Sequence, residues 1–136
     1  MTGFVAPVHV RWSDIDMYQY INHATMVTIL EEARIPFLKE PFGATITTIG
    51  LLIAEVNISY KGQLRLVDSP LQVTMWSKRV RAVDFTIGYE VRPVHAATDA
   101  KPSVIAETQL AAVHINEQRL ERLSPEQREY LQRWMR

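Results

Sequence analysis

The sequence predicts an α+β protein in which an antiparallel sheet of about five strands wraps one long buried helix, with a short helix at the C-terminus. Three observations predict it. Near the start, an apolar pattern of period two gives way at Asn22 to one of helical period that covers much of the helix circumference. Strand-period segments then fill most of the chain up to Ser124, where helix-start signals return. A helix apolar on most sides needs a curved sheet, since one flat two-layer contact would leave much of that surface in water.

The elements follow in order. Val8, Val10 and Trp12 alternate with His9 and Arg11 as in a half-buried strand, and a polar turn follows from Ser13 to Asp16. From Asn22, the residues Met26, Val27, Ile29, Leu30, Ala33, Phe37 and Leu38 fall at helical spacing. Pro36 has no amide hydrogen and crowds the Glu32 carbonyl, so the helix is expected to kink or stop near it. Leu52, Ala54, Val56, Ile58 and Tyr60 mark the next strand, Leu71, Val73 and Met75 another, and Val83 to Arg92 the cleanest. Pro93 to Pro102 reads as a connection to a long strand over Ser103 to Ile115, whose apolar phase shifts between Ala106 and Ala111 as at a bulge. Ser124, Pro125 and Gln127 form a capping box before a helix carrying Tyr130, Leu131, Trp134 and Met135 on one side.

Composition narrows the function. No repeat, low-complexity stretch or Gly/Ser-rich linker divides residues 1–136, so a single domain is expected. Fifteen Lys plus Arg against fifteen Asp plus Glu give zero formal net charge, which removes the electrostatic case for bulk binding to nucleic acid or an anionic membrane. The absence of cysteine excludes disulfides, thiolate metal sites and cysteine nucleophiles. The uncharged stretch Pro41 to Ala54 is too short and too broken by Pro, Gly and Thr to span a bilayer. The first ten residues lack Lys, Arg and any sustained apolar run, so no secretory signal is expected and the protein reads as cytoplasmic.

Chemistry concentrates in the turn between the first strand and the helix. Asp14, Asp16, Asn22 and His23 fall within ten residues, interleaved with Met17, Tyr18 and Tyr20. One reading makes Asp14 and Asp16 turn residues and Asn22 the helix N-cap. The other sets a carboxylate before a helix start, where unpaired amide hydrogens and the helix dipole polarise a carbonyl while the carboxylate attacks it or activates water. A calcium loop fails, because Gln19 stands at the glycine position and Thr25 at that of the bidentate glutamate. His9, His95 and His114 read as structural or solvated, and Glu31 or Glu32 as a partner for Arg34 across one helical turn.

Through Val10, Arg11, Trp12, Asp14, Asp16, Asn22, His23, Ala24 and the run Leu30, Glu31, Glu32, Ala33, Arg34, the chain resembles the hotdog-fold acyl-CoA thioesterases of the 4-hydroxybenzoyl-CoA thioesterase type. The resemblance implies hydrolysis of an acyl-CoA thioester, as in lipid metabolism, without metal or other cofactor. It makes Asp16 the catalytic carboxylate and His23 the helix-start position whose amide polarises the thioester carbonyl. Tyr18, Tyr20 and Met26 become a candidate lining for the acyl group, Asn22 a further substrate-binding candidate, and Lys78, Arg79 and Arg81 candidate contacts to coenzyme A phosphates. It also implies a homodimer or homotetramer with active sites shared between subunits, to which the C-terminal apolar stripe would add surface a lone chain covers poorly. The chain departs from the family where Gln19, Tyr20, Ile21, Asn22, His23 replace a Gly, His, Val, Asn, Asn run, and where Tyr60 to Leu64 lacks the usual proline. A non-catalytic acyl-CoA- or protein-binding module is the alternative; hydration of an enoyl thioester is disfavoured by Ile21, where such sites carry histidine.

Overall fold

In the computed structural model, which describes residues 3–136, the chain runs through β1 (Phe4–Val8), α1 (Thr25–Phe42), β2 (Ile49–Tyr60), β3 (Leu71–Lys78), β4 (Asp84–Arg92), β5 (Val104–His114), β6 (Arg119–Leu120) and α2 (Pro125–Arg133). The described strands form one antiparallel sheet in the order β1-β3-β4-β5-β2, with β6 beside the end of β5. Period-two alternation sets which side chains face α1. One row across the sheet reads Phe4, Met75, Tyr89, Ala106, Ile58, each residue opposite the next. Against this inner face α1 buries Met26, Ile29, Leu30, Ala33, Phe37 and Leu38, each large side chain contributing about 1.5–3 kcal/mol. The fold class is the one predicted, an α+β sheet curled around its helix.

Several local expectations are corrected. The first strand begins earlier, at Phe4, and ends before Trp12, which is 83% exposed and opens a 3-10 turn, Trp12–Asp14. The Asp14 carboxylate causes that turn by accepting the Arg11 amide at 2.9 Å. The helix begins at Thr25 rather than Asn22, and Asn22 shapes the bend before it instead of capping it. Pro36 does not end the helix, which continues through Pro36 and Pro41 to Phe42. The neighbouring Ala33 and Phe37 are wholly buried, and their packing offsets a loss of about 3 kcal/mol from one missing helix bond.

The bulge lies in β2, not β5. Ile53 pairs with Leu110 and Glu55 with Gln109, leaving Ala54 unpaired. In β5 the inner row Ala106, Thr108, Leu110, Ala112 is unbroken. Thr108 is a buried polar member of that row, and its polarity imitates a phase shift in the sequence. β2 is also more open than its alternation suggests, with Leu52, Ile53, Val56 and Tyr60 exposed, because among the described residues it pairs only with β5. The short β6 has no apolar period and went unexpected.

Ser124 caps α2 as predicted, accepting the Gln127 amide while the Gln127 side chain accepts the Ser124 amide. The apolar stripe of α2, however, is largely covered by its own chain. Leu131 is fully buried, the Tyr130 hydroxyl donates to the Phe37 carbonyl at 2.5 Å, and the Trp134 ring meets Phe4 and Phe37 edge-on. Tyr130, Leu131 and Trp134 therefore pack into the core of one chain, and of the stripe Met135 stays exposed.

Because α1 continues past Pro36, restoring the missing amide should help it. Pro36→Ala is expected to raise unfolding stability by about 2 kcal/mol, the helix gain exceeding the added freedom of the unfolded chain. Chemical denaturation followed by circular dichroism checks this; an unchanged or lowered midpoint would mean that the proline carries no strain there.

Candidate active site

The turn that holds the candidate residues is a narrow antiparallel excursion. Asn22 donates its amide to the Asp14 carbonyl at 2.9 Å, Ile15 bridges Ile21, and Asp16 donates its amide to the Tyr20 carbonyl at 2.8 Å. Ile21 in turn donates to the Leu64 carbonyl at 2.8 Å, tying the excursion to the segment after β2. The two aspartates divide the work within it. Asp14 is buried and holds Arg11, whose guanidinium donates to Oδ1 at 2.9 Å. Those hydrogen bonds hold the Asp14 carboxyl below the usual carboxylate range.

Asp16 is half-buried. Its Oδ1 accepts the amides of Tyr18 at 2.9 Å and Tyr20 at 3.2 Å, so the carboxylate is fixed by the loop it stands on. Its Oδ2 has no partner among the described residues, leaving one oxygen free to act. The cost of the loop falls on Gln19, whose φ of 70° is left-handed. The turn thus demands the conformation that a glycine would supply cheaply, and a glutamine supplies it at about 1–2 kcal/mol.

At the helix start, Asn22 Oδ1 accepts the Ala24 amide at 2.8 Å, and the Asn22 carbonyl accepts the Thr25 amide at 3.1 Å. The His23 amide hydrogen has no partner among the described residues. A free backbone donor therefore stands at the positive end of an eighteen-residue helix, an arrangement suited to a carbonyl oxygen that gains negative charge. The His23 ring is exposed and lies edge-on to Tyr60, whose hydroxyl donates to the His23 carbonyl at 2.5 Å. Sequence reasoning gave Tyr60 no role here, and with the partners 37 positions apart along the chain no local spacing could have supplied one.

Of the other candidates, Tyr18 and Tyr20 share the Asp16 loop and the rest do not. Tyr18 is exposed and Tyr20 half-buried at the loop, while Met26 turns into the core. Lys78 and Arg79 both hold Glu107, and Arg81 holds Asp84 at 2.7 Å. This cluster lies at the end of β3 remote from Gln72, whose partner Arg92 closes β4 near the helix-start side of the sheet. Arg34 makes no ion pair with Glu31 or Glu32, contrary to expectation; it turns inward and donates to the buried Tyr89 hydroxyl at 3.4 Å. Among the described residues no cluster of three His, Cys, Asp or Glu is placed to hold a metal ion, and no helix is long and apolar enough to cross a membrane.

Two clefts open along the flank of α1 that faces β2. The larger, about 400 Å³, is lined by Arg34, Ile35, Leu38, Phe42, Ile49 and Leu51 among others. A smaller one of about 110 Å³, between Val27 and Val56, shares Glu31 and Arg34 with it. Neither touches Asp16 or His23 of the same chain.

A family model described as the thioesterase-like superfamily matches residues 10–134. Solved structures share the fold. A probable thioesterase from Escherichia coli, YbaW, is 21% identical with a TM-score of 0.79, covering 97% of this chain and 98% of its own. A 1,4-dihydroxy-2-naphthoyl-CoA thioesterase from Synechocystis is 15% identical with a TM-score of 0.78, covering 96% of each chain. A DHNA-CoA thioesterase from Staphylococcus aureus is 17% identical with a TM-score of 0.79, covering 95% of this chain and 88% of its own. No curated protein matches the sequence.

Two stability outcomes follow from the turn. Gln19→Gly should raise stability by about 0.5–1 kcal/mol, relief of the left-handed residue outweighing glycine's entropy; a lower melting temperature would contradict this. Asp14→Asn should cost about 1–3 kcal/mol at neutral pH. Because the folded Asp14 pKa is depressed, its contribution is present above the unfolded carboxylate pKa and is lost as pH falls through the lower folded value. Melting curves across the acid range should show that loss in the wild type and not in Asp14→Asn.

Proposed function

We propose, since the chain belongs to the thioesterase-like superfamily, that it hydrolyses an acyl-CoA thioester to a free acid and coenzyme A. One observation carries the reading: Asp16 has one oxygen fixed by two amides and the other free, a few residues before a helix start whose His23 amide is unpartnered. In the water route, Asp16 removes a proton from water as its oxygen bonds to the thioester carbon. The resulting oxyanion accepts the His23 amide, the C–S bond breaks, and the thiolate leaves with a proton. In the nucleophilic route, Asp16 Oδ2 attacks the carbon itself, the C–S bond breaks and the thiolate leaves, taking a proton from solvent, and water then cleaves the acyl–Asp16 anhydride to the free acid and the carboxylate. Tyr18, Tyr20 and Asn22 remain candidate substrate-side residues, whereas Met26 is buried in the core and lines neither cleft. A coenzyme phosphate reaching Lys78, Arg79 or Arg81 would compete with Glu107 and Asp84 for them. The reading places the enzyme in the cytoplasm.

The site is proposed to be shared between two copies, or four paired in turn. β2 presents twelve residues with one free hydrogen-bonding edge and exposed Leu52, Ile53 and Val56, a surface that favours pairing. Antiparallel pairing of two β2 strands would set the Tyr60 end of one chain beside the Ile49 end of the other. The large cleft at the Ile49 end would then face the partner's helix start, giving the acyl group an apolar chamber that no single chain supplies beside its own Asp16.

A panel of acyl-CoAs with colorimetric thiol detection tests the activity. At least one should release thiol, and Asp16→Asn should lower kcat by roughly a hundredfold or more. His23→Ala should lose less, because alanine keeps the amide. A folded, equally active Asp16→Asn would remove Asp16 from the chemistry. Binding without thiol release from any member would instead mark a non-catalytic acyl-CoA module. Light scattering across a dilution series addresses the assembly: a monomer with full specific activity would contradict the shared site.

A further inference from the structure

We infer that Tyr60 is a positioning residue for this site, its hydroxyl fixing the peptide that orients the His23 amide donor. The inference rests on the thioesterase reading and adds a residue to it. Three consecutive peptide units make up the bend into α1, and their polar groups can be followed one by one. The unit joining His23 to Ala24 is held at both ends: Asn22 Oδ1 accepts its N–H at 2.8 Å, and Tyr60 Oη donates to its C=O at 2.5 Å. The unit joining Asn22 to His23 has its C=O occupied by the Thr25 amide at 3.1 Å and its N–H free. The unit before that is anchored through the Asn22 N–H to the Asp14 carbonyl at 2.9 Å. Within the bend, the one amide left open is thus the one whose neighbours on both sides are tied down.

An oxyanion donor is useful only if it already points at the place where charge develops, because reorienting a dipole during the reaction consumes the stabilisation it provides. Asn22 alone cannot enforce this. Its side chain grips only the N–H side of the His23–Ala24 unit and belongs to the same bend. Tyr60 is the one anchor of that unit from a different element, held by β2 pairing through its Val104 partner. It sits on the inner row of the sheet, directed at the helix start, and its ring also meets the His23 imidazole with an interplanar angle of 82°. Burial raises the Tyr60 hydroxyl above the usual phenol range, so it stays a donor at neutral and mildly alkaline pH.

Tyr60→Phe removes the hydroxyl and keeps the ring. Steady-state kinetics should show kcat lowered about tenfold, the scale of a slightly misaligned catalytic dipole, with KM within about twofold. The melting temperature should move little, since the hydroxyl of this side chain is near the surface. A second readout is independent of turnover. In the Asp16→Asn background, difference infrared spectroscopy of an acyl-CoA labelled with carbon-13 at its carbonyl should show the stretch shifted down in the parent and returned toward its free value when Tyr60→Phe is added. Equal kcat and an unmoved carbonyl stretch in Tyr60→Phe would overturn the inference while leaving the thioesterase reading in place. A loss of kcat that only follows a lowered melting temperature, with the stretch unmoved, would overturn it as well. A wild-type protein that releases no thiol from any acyl-CoA would remove the reading on which the inference stands, and the inference with it.

Discussion

Phe37 is where the separate parts of this chain meet. Its ring is wholly buried and lies 5.3 Å from Phe4 of β1, 5.8 Å from Tyr130 of α2 and 6.0 Å from Trp134. Its carbonyl accepts the Tyr130 hydroxyl, so the same residue joins α1 to the first strand and the last helix by packing and by a hydrogen bond. Aromatic pairs of this kind add about 0.5–1.5 kcal/mol each beyond the area they bury. With the middle of α1 pinned in this way, its two ends are located as well: the start beside Leu64 and Tyr60, the finish beside the opening of β2. The Asp16 loop, tied to Leu64, stands at the first of these ends and the large cleft at the second.

The structure spends stability at its candidate site and recovers it elsewhere. Gln19 is left-handed, the Asp16 carboxylate satisfies its own loop on one side only, and the His23 amide bonds to nothing in the described chain. Asp14 supplies the compensation nearby, with a buried carboxylate that fastens Arg11 and closes the 3-10 turn. Two carboxylates two residues apart thus differ in burial and in partners, and this difference separates the one that builds the turn from the one available to act.

Long, strongly patterned elements were legible in the sequence. The alternation in Val83 to Arg92 and the capping box at Ser124 correspond to β4 and α2 almost residue for residue. What misled was local chemistry overruled by packing. Pro36 speaks for a helix end, yet the burial of Ala33 and Phe37 carries α1 past it. Thr108 looks like a break in phase because a single sequence does not reveal that a hydroxyl is welcome beside Tyr89. The acidic pair and the helix start stood out because they are close along the chain. Tyr60 did not, since its meeting with His23 depends on how β2 is laid against the helix start. The clefts beside Arg34 were hidden for the same reason.

The irregularity at Ala54 bears on how this chain avoids uncontrolled growth. A uniform twelve-residue edge would accept an added strand in many offsets, each nearly as good as the next, and an edge that accepts every offset is a template for fibres. Interrupting the row of amides and carbonyls near its middle, and adding twist there, makes most offsets lose bonds on one side of the kink. Few alignments survive, foremost those in which the two strands are related by symmetry about the interruption. In any pairing of that edge, the bulge would act as a fiducial mark that turns an open-ended sticky margin into a self-limiting one.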